Sequence, residues 1–157
     1  MNRREIVTGL AALGSTTLAA CAARAHGPAH ATGGHHPAST PLSPQLSAVL
    51  SSTTRCRTAG AICLAHCTDN LAAGDAHMAG CQRAVMNMLA VVSAMQEVAA
   101  YHSADAASIA ALARACAAFC RACEAQCAPH IDHHVECKEC SEACRECAEA
   151  CDALAAA

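Results

Sequence analysis

Residues 136–151 read ECKECSEACRECAEAC and place cysteine at 137, 140, 144, 147 and 151. Spacings of three, four, three and four are the period of one α-helix face, on which such residues stack one above another. A single CxxC pair is a common metal or redox signal. An unbroken run at helical period is a stripe of thiols where a bundle ordinarily presents leucine. The remaining faces of this segment carry Lys138, Glu139, Glu142, Arg145, Glu146 and Glu149, so the thiols form the inward side.

The same period continues in three earlier segments. Ser43 is a good N-cap with Pro44 at the first helical position, which predicts a first helix running to about Ala73 and stopped by Gly74. Asp75 can cap a second helix reaching about Ala100. Ser103 or Asp105 can cap a third that ends before Pro129, and Asp132 can cap a fourth that runs nearly to the C-terminus. The inward line of the first helix is Leu46, Val49, Thr53, Cys56, Gly60, Cys63, Cys67 and Asn70. That of the second is Met78, Cys81, Val85, Met88, Val92, Met95 and Ala99. The third gives Ile109, Ala113, Cys116, Cys120, Cys123 and Cys127, and the fourth His133, the five cysteines above and Leu154.

All thirteen cysteines beyond Cys21 fall on these lines. Short connections between long helices predict an all-α, antiparallel up-down-up-down four-helix bundle with a cysteine-lined core. In that connectivity one end collects Cys67, Cys81, Cys127 and Cys137 with His66, His77, Met78, His130, His133 and His134. The other end holds Leu46, Val49, Val92, Met95, Ile109 and Leu112, an ordinary apolar plug.

Composition explains why the thiols matter to the fold. Of 157 residues, 54% are hydrophobic, but that share leans on alanine and on 14 cysteines; with one Phe, one Tyr and no Trp, an aromatic-rich core is excluded. The net charge of −3, without a basic patch, gives nucleic-acid binding no support. Residues 1–25 read as a twin-arginine export signal, with Arg3 and Arg4 ahead of an apolar stretch. Cleavage after Ala23-Arg24-Ala25 releases a soluble protein, the preferred reading; Leu18-Ala19-Ala20-Cys21 alternatively reads as a lipoprotein box that leaves Cys21 lipidated. Residues 26–42, HGPAHATGGHHPASTPL, read as a flexible leader, residues 43–157 as the bundle domain, and no further segment as a membrane span.

Three chemistries compete for the stripes. Cysteine as a small hydrophobe accounts for one or two core positions, not for thirteen on four aligned stripes. A disulfide framework suits an exported chain, but a bridge needs Cβ atoms about 3.5–4.5 Å apart while helical i,i+3 and i,i+4 neighbours are about 5–6 Å apart. Metal binding is the third, and charge selects the metal. Buried thiolates need compensation, and a monovalent soft ion, at near one per core cysteine, neutralises the whole tube. Zinc wants four tetrahedral ligands, which leaves thirteen thiolates under-neutralised, and iron–sulfur clusters usually draw their cysteines from loops. Thiolate and thioether ligands select Cu(I).

At this point the sequence resembles the bacterial copper storage proteins, four-helix bundles whose cysteine-lined cores fill with Cu(I). The resemblance spans residues 43–157 and is carried by CLAHC (63–67), GDAHMAGC (74–81), CAAFCRACEAQC (116–127) and CKECSEACRECAEAC (137–151). The twin-arginine leader resembles the exported branch of that family, which implies a periplasmic location and a tetramer of bundles. The resemblance also implies that Cys56, Cys63, Cys67, Cys81, Cys116, Cys120, Cys123, Cys127, Cys137, Cys140, Cys144, Cys147 and Cys151 bind copper. His66, Met78 and the side-chain oxygen of Asn87 are implied to assist at the entrance. Met88 and Met95 read as core filler, with Met88 as an alternative thioether donor on the line of Met78, and His77, His130, His133 and His134 read as solvated loop residues able to hand copper inward. Gly60 departs from the pattern, since another thiol would fit there, and so does the second helix, which supplies only Cys81. The expected partners are copper ions and the copper-requiring enzymes or chaperones that receive them. Two alternatives stay open: a thiol–disulfide redox protein using CRAC (120–123) or CKEC (137–140), and a zinc or mixed-metal detoxification protein. No nucleophile–base pair stands apart from the thiol lines, so catalysis is not expected.

Overall fold

The computed structural model describes residues 41–157. The signal reading of residues 1–25, Cys21 within it, and the leader up to residue 40 lie outside the described residues. The described chain is all α-helical: α1 (Pro44–Ala72), α2 (Ala79–Tyr101), α3 (Ala106–Cys127) and α4 (Val135–Ala155), with 3-10 turns at Ala76–Met78 and Ala128–His130. Each helix packs on the next in the chain, and α1 closes the ring against α4. This is the four-helix bundle the thiol stripes predict.

The helix ends follow from local chemistry. Leu46 N–H donates to Ser43 Oγ at 3.1 Å, and Pro44, whose missing N–H needs no partner in the first turn, opens α1. Gly74 takes φ +97°, a left-handed conformation that costs other residues dearly, and turns the chain after α1. Asp105 caps α3 by accepting from Ser108 N–H at 2.9 Å. Two starts differ from expectation. Asp75 accepts from His77 N–H at 3.1 Å, but it caps the Ala76–Met78 turn and α2 follows from Ala79. Asp132 does not cap α4: the turn after Pro129 continues beyond it, and His134 takes the N-cap position without a side-chain hydrogen bond.

The buried faces are the expected lines, with exceptions at their ends. Leu46, Val49, Val92, Met95 and Ala99 are at most 4% exposed and form the apolar plug with the partly buried Leu50, Ile109, Leu112 and Leu154. Each fully buried side chain of this kind contributes roughly 1.5–3 kcal/mol. Thr53, fully buried among them, satisfies its hydroxyl by donating to the Val49 carbonyl at 2.7 Å. His133 is exposed, because α4 begins only at Val135. On the outer faces Arg55 pairs with Glu146 and Arg121 with Asp152, joining α1 and α3 to α4; all four groups are about half exposed and add little to stability. By length and composition the Ala76–Tyr101 and Ala106–His130 segments are apolar enough to cross a membrane, which the sequence reading did not anticipate. Both segments are rich in alanine, and a minority of each window is buried within the bundle.

Candidate metal centre

All thirteen cysteines of the described residues are free thiols, and none is more than 1% exposed. Helical period aims them inward, and the bundle then brings stripes from different helices to the same height. Five groups result: Cys63–Cys67–Cys81–Cys137, Cys63–Cys127–Cys140, Cys123–Cys140–Cys144, Cys56–Cys120–Cys144 and Cys116–Cys120–Cys147, with sulfur atoms within 4.8 Å of one another in each. Cys63, Cys120, Cys140 and Cys144 each belong to two groups, so most neighbouring groups share a sulfur. Cys151, fully buried, extends the run one turn beyond Cys147 on α4.

The closest thiol pairs are Cys81–Cys127 at 3.5 Å, Cys56–Cys144 at 3.8 Å, and Cys63–Cys81, Cys63–Cys137 and Cys123–Cys140 at 3.9 Å. A disulfide requires about 2.05 Å. These are separations that an ion held between sulfurs can use. Within the ladder the protons are unevenly held. Cys137, Cys140 and Cys147 fall below the ordinary thiol range through hydrogen bonds with Cys127, Cys123 and Cys116 respectively, against the opposing effect of burial. Cys127, Cys144 and Cys151 are pushed above it by hydrogen bonds with Cys123, Cys120 and Cys116. Burial pushes Cys67 up to about 12. Cys137, Cys140 and Cys147 of α4 are therefore readier to give up protons to a soft cation than Cys144 and Cys151 of the same stripe.

The last turns of α1 and the start of α4 bring nitrogen and oxygen donors together at the loop end, close in sequence to Cys67 and Cys137. His66, next to Cys67, has Nε2 2.9 Å from Nδ1 of His134 and Nδ1 3.5 Å from Glu136 Oε2; Asn70 Nδ2 reaches the same ring at 3.2 Å. His66 and His134 are both half-buried. Met78 is fully buried, three residues before Cys81. Asn87 is exposed and does not join this end: Val85 and Met88 take the inward positions of that turn and leave residue 87 on the solvent side. Sequence reasoning placed His134 at this end as a solvated loop residue, without its contact to His66, and missed Glu136. The signal was present, since extending the α4 stripe back from Cys137 by three residues instead of four reaches His134.

A buried, helix-borne ladder of thiols on a four-helix bundle defines a metal-binding protein of the soft-ion class. Residues 43–156 match the copper storage protein family, and the chain belongs to it. Among solved structures it is similar to a cytosolic copper storage protein from Streptomyces lividans in a structure of copper loading (five coppers), at 32% identity and a TM-score of 0.66, covering 72% of this chain and 93% of that one. It is similar to the copper storage protein Ccsp of the same organism loaded with 10 copper equivalents, at 31% identity and a TM-score of 0.67, covering 75% and 92%. The third is apo copper storage protein 3 from Bacillus subtilis, at 25% identity and a TM-score of 0.60, covering 69% and 97%. Comparison with curated proteins gives no match.

The protein sequesters multiple Cu(I) ions on thiolates inside a helix bundle, and it is a binding protein, not an enzyme. One expectation is corrected. The likeness to the exported, twin-arginine branch, and the periplasmic location drawn from it, are overturned by the Streptomyces lividans relative, which is a cytosolic copper storage protein. That expectation rested on the leader, residues 1–25, and not on the bundle motifs that carry the family resemblance.

Proposed function

We propose that residues 43–157 form a storage domain that fills with near one Cu(I) per core cysteine and later yields the metal to copper-requiring enzymes or copper chaperones. The ligands in this reading are Cys56, Cys63, Cys67, Cys81, Cys116, Cys120, Cys123, Cys127, Cys137, Cys140, Cys144, Cys147 and Cys151, with His66, His134 and Met78 admitting ions at the loop end. The observation that carries it is the sharing of sulfurs between groups, which lets an ion pass from one group to the next without leaving the core. The loading of the Streptomyces relatives with five coppers and with 10 equivalents supports graded filling. Complete burial of Cys120, Cys123, Cys137 and Cys140 removes the accessible thiolate that a disulfide-exchange partner would need.

The test is an anaerobic Cu(I) titration of the reduced chain against a chromophoric Cu(I) chelator, with metal analysis and circular dichroism. Tight binding close to thirteen ions, at unchanged helix content, is expected from the thirteen buried thiols. Saturation at one or a few ions, or a preference for zinc at four-thiolate stoichiometry, would sink the proposal. Assembly as a tetramer is part of it, supported by Ile62, Met86 and Phe119, apolar side chains 39–54% exposed on the outer faces. Sedimentation equilibrium that returns a monomer would remove that part alone.

A further inference from the structure

Met88 is the α2 thioether that touches a core thiol. Its side chain is fully buried, and its Sδ lies 3.4 Å from Cys56 Sγ, which donates to it. Cys56 itself forms a group with Cys120 and Cys144. Around Cys56 all four helices contribute sulfur: Cys56 of α1 touches Met88 of α2 and forms its group with Cys120 of α3 and Cys144 of α4.

Gly60 supplies a second, independent observation. It interrupts the α1 thiol stripe one turn from Cys56, at a buried position. A Cβ there would stand 2.7 Å from Met88 Cε and 3.0 Å from Leu89 Cδ2. The space another side chain would need is held by the end of the Met88 thioether. The absence of a side chain at 60 and the position of the Met88 sulfur are two halves of one arrangement.

We infer that Met88 is a thioether ligand for Cu(I), completing a three-thiolate, one-thioether site with Cys56, Cys120 and Cys144; this rests on the storage reading above. Thioether sulfur is soft enough for Cu(I) and carries no charge. Met88 therefore adds a donor to this layer without adding negative charge that a further ion must neutralise. A methionine that merely fills space has no need of a sulfur beside a thiol; here the methyl lies over Gly60 and the sulfur lies against Cys56.

The experiment uses the full chain grown with selenomethionine, reduced and saturated with Cu(I), and reads selenium K-edge absorption. The methionines are Met1, Met78, Met86, Met88 and Met95, so Met78→Leu first removes the entrance thioether. A selenium–copper scattering shell is expected to survive Met78→Leu and to disappear in Met78→Leu/Met88→Leu. Absence of the shell in Met78→Leu, while metal analysis finds the copper bound, overturns the role of Met88 and leaves storage intact. Persistence of the shell without Met88 assigns it to another methionine and overturns it equally. A chain that binds no Cu(I) overturns the storage reading and this inference together. The Met78→Leu result does not depend on folding of the double variant.

Discussion

Cys140 belongs to two sulfur groups, with Cys63 and Cys127 on one side and Cys123 and Cys144 on the other, whereas Cys151 stands at the end of the ladder. Cys140→Ala is therefore expected to lower the saturating copper count by more than Cys151→Ala, and neither is expected to abolish binding; metal analysis of the two loaded variants checks this. Equal losses would mean that sulfurs are not shared. A proton argument applies at Cys67, whose thiol burial pushes up to about 12 from an ordinary 9.0. Between those values the unfolded thiol is ionised while the folded one keeps its proton, so the folded state binds more protons. This contribution to the stability of the metal-free bundle is complete below the ordinary value and is lost as pH rises toward the folded one. Urea denaturation of the reduced apo chain at successively higher pH should show a steeper decline than in Cys67→Ala. Copper replaces the proton and should remove the difference between them.

At the scale of the helix, α1 and α3 are capped by Ser43 and Asp105, while α4 starts at His134 without a side-chain cap. Ser43→Ala should cost about 1 kcal/mol in urea denaturation. His134→Asp should do the opposite, stabilising the apo bundle by about 1 kcal/mol through a new cap, while slowing copper uptake in stopped-flow mixing because the ring beside His66 is gone. Uptake at the unaltered rate would separate His134 from the entrance. These elements also mark what could be read beforehand. The 3-4 cysteine spacing sets the phase of each helix, and phase alone decides which side chains are buried; that is why the stripes through Cys56, Cys81, Cys116 and Cys137 were legible. Phase does not report height. Whether His130, His133 or His134 meets α1 depends on where the turn after Pro129 ends, and Asp132 was a credible cap until that turn ran past it. Asn87 failed for the opposite reason, since its phase was readable and already pointed outward, one residue before Met88. Gly60 looked like a missing thiol because the side chain occupying its place comes from another helix, which no single-helix pattern contains.

Across the whole molecule the two ends of the core differ in kind. The loop end carries His66, His134 and Glu136 beside Cys67, Cys81 and Cys137, and the other is closed by Leu46, Val49, Val92, Met95 and Ala99. Ions that bind the folded state alone stabilise it by mass action, so the copper-loaded bundle should unfold at a higher temperature than the apo form, with near-identical far-ultraviolet circular dichroism before melting. A large gain in helix signal on loading would instead mean that copper folds the chain. The apolar plug has a consequence for time as well as for place. A passage closed at one end and entered at the other keeps its contents in order of arrival: the earliest guest lies deepest, and the latest stands nearest the door. Supplied with one copper isotope and then a second, the protein should surrender the second first to an added chelator. A first fraction carrying both in equal measure would mean that ions trade places along the ladder faster than they leave it, and that the bundle keeps a quantity of copper without keeping its history.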